Sequence, residues 1–185
     1  MKRSIRFLSS MVILILTTFV STAYARTIFP SEGRAEAYFP YSKEDEKRYK
    51  AIFEAAQSAA HEADIQQWEG EVQHNIDFFA KLSKEDRDAF PGIFVAPYEN
   101  AISKEVAIYT AYAAMEGLFG YTEDILTRFY PICYFNVKKP DTPTWQVEFK
   151  LVDIQTLQQY YVFCVNIQAC DGLVLKIYDS SDAVG

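Results

Sequence analysis

The sequence predicts an α+β fold: N-terminal helices, then a buried helix packed on a four-stranded antiparallel sheet. Three observations carry that reading. From Thr144 to Leu151 the apolar residues Trp145, Val147, Phe149 and Leu151 alternate with Gln146, Glu148 and Lys150. That period of two belongs to a strand with one buried face and one wet face. Tyr161, Phe163, Val165 and Ile167 repeat the pattern. Between Ser103 and Gly120, Val106, Ala107, Ile108, Ala111, Ala113, Ala114, Met115, Leu118 and Phe119 leave few polar positions. A helix with so little polar surface belongs in the interior, lying across the sheet.

The chain divides into a leader (1–25), a helical region (26–100) and an α+β domain (101–185). Lys2, Arg3 and Arg6 precede an apolar run from Met11 to Val20, and Ala23-Tyr24-Ala25 follows with small residues at the first and third places. Together these form a secretory signal peptide. Cleavage is expected between Ala25 and Arg26, which makes the protein secreted or extracytoplasmic. The run is shorter than the roughly 20 residues of a membrane span, and no cysteine follows the cleavage site, so no stable membrane anchor is expected.

Residues 26–41 lack periodicity and hold Pro30, Gly33 and Pro40, which predicts an extended lead-in. Ser42 offers a cap oxygen ahead of Glu44 and Asp45 and so opens a helix. Tyr49, Ile52, Phe53, Ala56, Ala59, Ala60 and Ala63 make one apolar stripe, and Ile65, Trp68, Val72, Ile76 and Phe79 make a second. One helix through both would be unusually long, so a break is expected, at Asp64 or Gly70. Ser83 opens a short helix that ends before Pro91-Gly92, and 91–102 read as a loop. Ser103 caps the buried helix and Gly120 stops it with a left-handed residue. Thr122 caps a short helix that Pro131 closes before the first strand.

The last strands meet at Cys170-Asp171-Gly172. Facing residues in an antiparallel pair share one side of the sheet. A three-residue loop there pairs Ile167 with Leu175 and Val165 with Ile177, all apolar. It places Gly172 where a left-handed residue is needed.

Charge excludes one class of partner. The chain carries 18 basic and 25 acidic residues. Without Lys2, Arg3 and Arg6 the balance is 15 against 25, a net charge of −10. Such a surface repels nucleic acid and anionic lipid. The three cysteines read as free thiols. Cys133 and Cys164 fall on the strands flanking Thr144–Leu151, and two strand spacings of about 9.5 Å in all exceed the roughly 7 Å limit of a disulfide. Cys164 and Cys170 lie six residues apart along one strand and its turn, a poor pair for a bridge.

No catalytic, cofactor or metal residues are assigned. His61-Glu62 begins like a zinc-protease helix, but Ile65 stands where the second histidine belongs, and His74 is thirteen residues away. There is no Gly-x-Ser-x-Gly elbow. Glu44/Asp45, Glu85/Asp86 and Glu123/Asp124 occupy first turns of helices, where capping and dipole effects account for them. The 13 tyrosines, 14 phenylalanines and 2 tryptophans fall mostly on stripes and strands and read as core. Tyr160, Tyr161 and Tyr178 cluster near one end of the sheet as a candidate surface patch for protein or carbohydrate contact.

The order of "GLFGYTEDI", "WQVEF" and "YYVFCVNIQACDGLVLKI" resembles the PepSY domain of secreted bacterial proteins over Ser103 to Tyr178. Trp145 and Val147 match its strand, and Ala169, Gly172, Val174 and Leu175 match its hairpin. Gln168 departs from the usual Asp. The resemblance implies a cystatin-like helix-on-sheet module, extracellular and without catalysis, that binds a protein partner and regulates or inhibits an extracellular protease. The competing expectation is a carrier of a small ligand or lipid on the concave face of the sheet. A carrier needs a large apolar cavity between helix and sheet. A binding module needs a solid core and an exposed aromatic patch.

Overall fold

The computed structural model describes residues 36–138, 142–152 and 161–179. Helix α1 (Lys43–Ala59) begins on a capping box: the Ser42 hydroxyl accepts from the Asp45 N–H at 3.1 Å, and the Asp45 carboxylate accepts from the Ser42 N–H at 3.0 Å. These bonds satisfy donors that a helix start leaves open. α1 buries Tyr49, Ile52 and Ala56, and α2 (Glu62–Lys81) buries Trp68 and Phe79. The expected break exists, but at Ala60 and His61, whose backbones are extended. Asp64 and Gly70 lie inside α2. Tyr49 and Ile52 of the first stripe pack on one face of the sheet and Trp68 of the second on the other, while Phe53, stacked on Tyr130 at 5.7 Å, touches both clusters.

Helix α3 (Lys84–Asp88) starts from a Ser83 cap, and strand β1 (Gly92–Phe94) follows. Here the structure corrects two expectations, since 91–102 is not wholly loop and the sheet has five strands rather than four. A three-residue strand is too short to display alternation, and only the edge of its neighbour defines it. α4 (Lys104–Phe119) is capped by Ser103, whose hydroxyl accepts from the Val106 N–H at 3.2 Å, and it is buried without interruption from Ala107 to Met115. Gly120, at φ 65°, ends it as expected. α5 (Glu123–Leu126) leads into β2 (Phe129–Lys138), β3 (Thr142–Leu151), β4 (Tyr161–Gln168) and β5 (Val174–Asp179). Pro131 therefore lies inside β2 and does not close the helix before it.

The five strands form an antiparallel meander in chain order. Its ladders separate two faces. Cys133, Val147, Val165 and Ile177 align across four strands, and Ile132, Glu148 and Cys164 align across three on the other side. The first face packs against α4 and α1 in one cluster that includes Tyr49, Ile52, Tyr112, Met115, Trp145 and Phe149. The second face holds Tyr130, Ile132 and Tyr134 against Trp68 of α2. The N-terminal helices thus cover both sides of the sheet's first half. Trp145, Val147 and Phe149 are 4%, 0% and 0% exposed, as their alternation predicts.

The hairpin between β4 and β5 differs from its expectation in detail. Gln168 donates to the Leu173 carbonyl at 2.7 Å and accepts from the Gly172 N–H at 3.0 Å, so the loop holds four residues. Ile167 pairs with Val174 rather than Leu175, and a bulge then restores the expected pairing of Val165 with Ile177. One extra residue in β5 reconciles a four-residue loop with an apolar face. Gly172 has the positive φ of 79° that was anticipated. None of the three cysteines is in a disulfide; Cys133 and Cys164 are buried on opposite faces of the sheet, and Cys170 is exposed.

Candidate functional site

Chemistry comes first, since it is the stricter test. His61 and His74 are both exposed. Among the described residues no group of three or more His, Cys, Asp and Glu side chains could hold a metal ion. Burial pushes the Cys133 thiol up to about 12, so it stays protonated at neutral pH and is a poor nucleophile.

The most ordered polar cluster joins α1 to α4. The Arg48 guanidinium forms a two-pronged pair with the Glu116 carboxylate, its second arm at 2.8 Å, and reaches Asp45 at 3.1 Å. The Tyr49 hydroxyl donates to Glu116 at 2.6 Å, and the Arg48 guanidinium also lies 4.8 Å from the centre of the Tyr49 ring. Arg48 holds the Glu116 carboxyl below the usual glutamate range. Burial, then the hydrogen bond to Glu116, pushes the Tyr49 phenol up. Each charge has its partner within the cluster, so the arrangement ties two helices together and leaves no group poised to attack a substrate.

The aromatic side chains are organised differently. Phe78 and Phe79 are neighbours on α2, and consecutive helical residues point about 100° apart. Phe79 turns inward and is 8% exposed, while Phe78 is 45% exposed. Phe90, 37% exposed, stands edge-on to both, at 6.4 and 5.1 Å between ring centres. Phe79 then meets Phe94 of β1 at 5.9 Å, and Phe94 meets Tyr134 of β2 at 5.3 Å. Five rings form a continuous path from the surface to the sheet. Rings at these separations support one another beyond the area they bury. The outer two are therefore supported from beneath by packed rings.

This patch is not the one the sequence suggested. Ala23, Ala25, Arg26 and Tyr160 lie outside the described residues. Tyr161 and Tyr178 are placed by backbone register alone, opposite Lys150 and Cys164, and their side chains are also outside the described set. A signal for this second candidate was present in the adjacent Phe78-Phe79 pair, whose rings leave the helix about 100° apart. Among the described residues no helix is long and apolar enough to cross a membrane. A scan of family models and searches of curated proteins and of solved structures return no match.

Proposed function

We propose that this is an exported, PepSY-like, non-catalytic protein-binding module that contacts its partner through Phe78 and Phe90. The observation that carries the reading is the ring path from Phe78 and Phe90 through Phe79 and Phe94 to Tyr134. Rigid aromatic anchors with low ordering cost dominate protein contacts. The carrier reading lacks such support, because Ala107, Ala111, Tyr112 and Met115, all fully buried, fill the space beneath α4. Regulation of an extracellular protease is the role implied by the resemblance over Ser103 to Tyr178. Export rests on the leader, with a mature chain beginning at Arg26.

Three measurements test this. Mass spectrometry of the extracellular fraction should find a chain starting at Arg26; a product retaining Met1 to Ala25 overturns the export reading. Mature protein used as bait in culture medium should retain a specific partner that a Phe78→Ser, Phe90→Ser variant does not, with unchanged circular dichroism. If both baits retain the same proteins, the patch is not the contact surface. Proteolytic activity of the medium should fall when the wild-type protein is added.

A further inference from the structure

A second surface lies apart from the aromatic patch, against the start of α4. Residues 36–41 run ahead of α1 as a strap that is tied down along its length. The Ala37 N–H donates to the Val174 carbonyl at 3.1 Å, and the Ala37 carbonyl accepts from the Val174 N–H at 3.0 Å. Phe39 lies on Gly117 of α4, where an added β-carbon would stand 3.3 Å from the ring. Tyr41 meets Tyr49 and Tyr109 edge-on, at 5.7 and 6.3 Å between ring centres. The Ser42 cap of α1 follows at once.

A groove of about 320 Å³ runs beside the strap. One wall is the strap, residues 38–41, and the other is Ile102, Val106 and Thr110. Those three are spaced by four and follow one line along the start of α4; at 1.5 Å per residue that wall is about 12 Å long. Both walls reach solvent, with Tyr38 59% and Val106 38% exposed. Asp171 closes one end. Its carboxylate accepts from the Tyr38 hydroxyl at 2.7 Å and from the Leu173 N–H at 3.0 Å. Both donors are neutral, so they orient the charge without cancelling it. Tyr41 stands at the other end, where burial and then the Glu46 charge push its phenol up. Burial, then Glu105 and Glu46, does the same to the adjoining Tyr109. Among the described residues no basic side chain forms an ion pair with Asp171, Glu46 or Glu105. The groove is apolar along its length and negative at both ends.

We propose that this groove docks an extended segment of a partner polypeptide, with a Lys or Arg seated against Asp171 and an apolar residue two places along against Val106 and Tyr41. Alternate side chains of an extended chain point the same way, about 6.6 Å apart. A wall of about 12 Å therefore takes about four residues, two of them facing the groove. The stem of the basic residue covers apolar surface at Tyr38 and Ile102 while its charged head reaches Asp171. The acidic balance of the chain, 25 against 18, favours the same sign of partner. Because the strap is already fixed, docking orders little of this protein, which lowers the entropy lost on binding.

The test titrates the mature protein with acetyl-Ser-Arg-Ser-Leu-Ser-amide and follows the methyl resonances of Ile102 and Val106, which should shift and saturate. The Glu-for-Arg peptide and the Ser-for-Leu peptide should each bind about tenfold more weakly. Asp171→Asn keeps an acceptor for Tyr38 but removes the charge, and Val106→Ser alters an exposed position. Each should weaken the basic peptide by a similar factor, with unchanged circular dichroism. No saturable shift at Ile102 and Val106 overturns the site. Equal binding of the Glu-for-Arg peptide, or equal binding by Asp171→Asn, overturns the charge assignment. Equal binding of the Ser-for-Leu peptide would mark a site for a small organic cation and overturn the polypeptide assignment. The Phe78→Ser, Phe90→Ser variant should bind the peptide normally. Loss of binding in that variant would place the peptide on the aromatic patch and overturn the groove.

Discussion

The indole N–H of Trp145 donates to the backbone carbonyl of Ile102 at 2.9 Å. Ile102 in turn donates its own N–H to the Ala169 carbonyl at 2.8 Å. One residue ahead of the α4 cap thus joins the central strand to the β4–β5 turn. Trp145 also packs edge-on against Phe135 at 5.0 Å. Trp145→Ala should cost about 3–5 kcal/mol through lost burial and the cavity left behind, against a typical total of about 5–15 kcal/mol. Trp145→Phe keeps most of the volume but orphans the Ile102 carbonyl, so about 1–3 kcal/mol is expected. Gln146→Ala, beside it, should change little. Urea denaturation of the three variants checks this order.

Acid should loosen the link between α1 and α4. The Glu116 carboxyl is held below its ordinary value of 4.5 by Arg48, and the Asp45 carboxyl below 3.8 by Ser42 and Arg48. A carboxyl more acidic in the folded state contributes stability that is fully present above its unfolded pKa. That contribution is lost as pH falls through the lower folded value. The wild type should therefore lose stability below about pH 4.5 more steeply than Arg48→Met, in which the main cause of the Glu116 shift is gone. Denaturation midpoints from pH 7 to pH 3 measure the difference; parallel curves would refute it.

The thiols should separate by burial. Alkylation of the folded protein should label Cys170 quickly and Cys133 and Cys164 slowly, since the first is exposed and the other two are buried. Alkylation of the denatured, unreduced chain should label all three. A single label after denaturation would reveal a bridge.

Gly172 has φ 79°, and a β-carbon placed there would meet only Ile102, at 4.0 Å. Space is available, so the left-handed backbone alone sets the penalty of a side chain, about 1–2 kcal/mol for alanine. Gly172→Asn should cost less than Gly172→Ala, because asparagine tolerates that region. Thermal midpoints of the two variants decide the matter.

Much of this fold is written locally. Ser42, Ser83 and Ser103 each mark a helix start, Gly120 marks a stop, and the alternation from Trp145 to Leu151 reports which residues face inward. These signals are readable because each depends on backbone geometry within a few residues. The candidate contact surface was less legible. Tyr160, Tyr161 and Tyr178 are neighbours in a sequence-based view of the sheet, whereas Phe78, Phe90 and Phe94 come from three separate segments and meet only after folding.

The sequence by itself determined the class of the fold, the inward face of its central strand and the buried state of α4. Tertiary structure alone decided that α1 and α2 part at Ala60 and His61, that Gly92–Phe94 becomes a strand, and that a bulge lets Val165 pair with Ile177. The reason is one of range. A capping oxygen or a period of two acts along the chain, but a three-residue strand or a register shift gains its stability from partners dozens of residues away. Such partners exist only once the sheet has assembled.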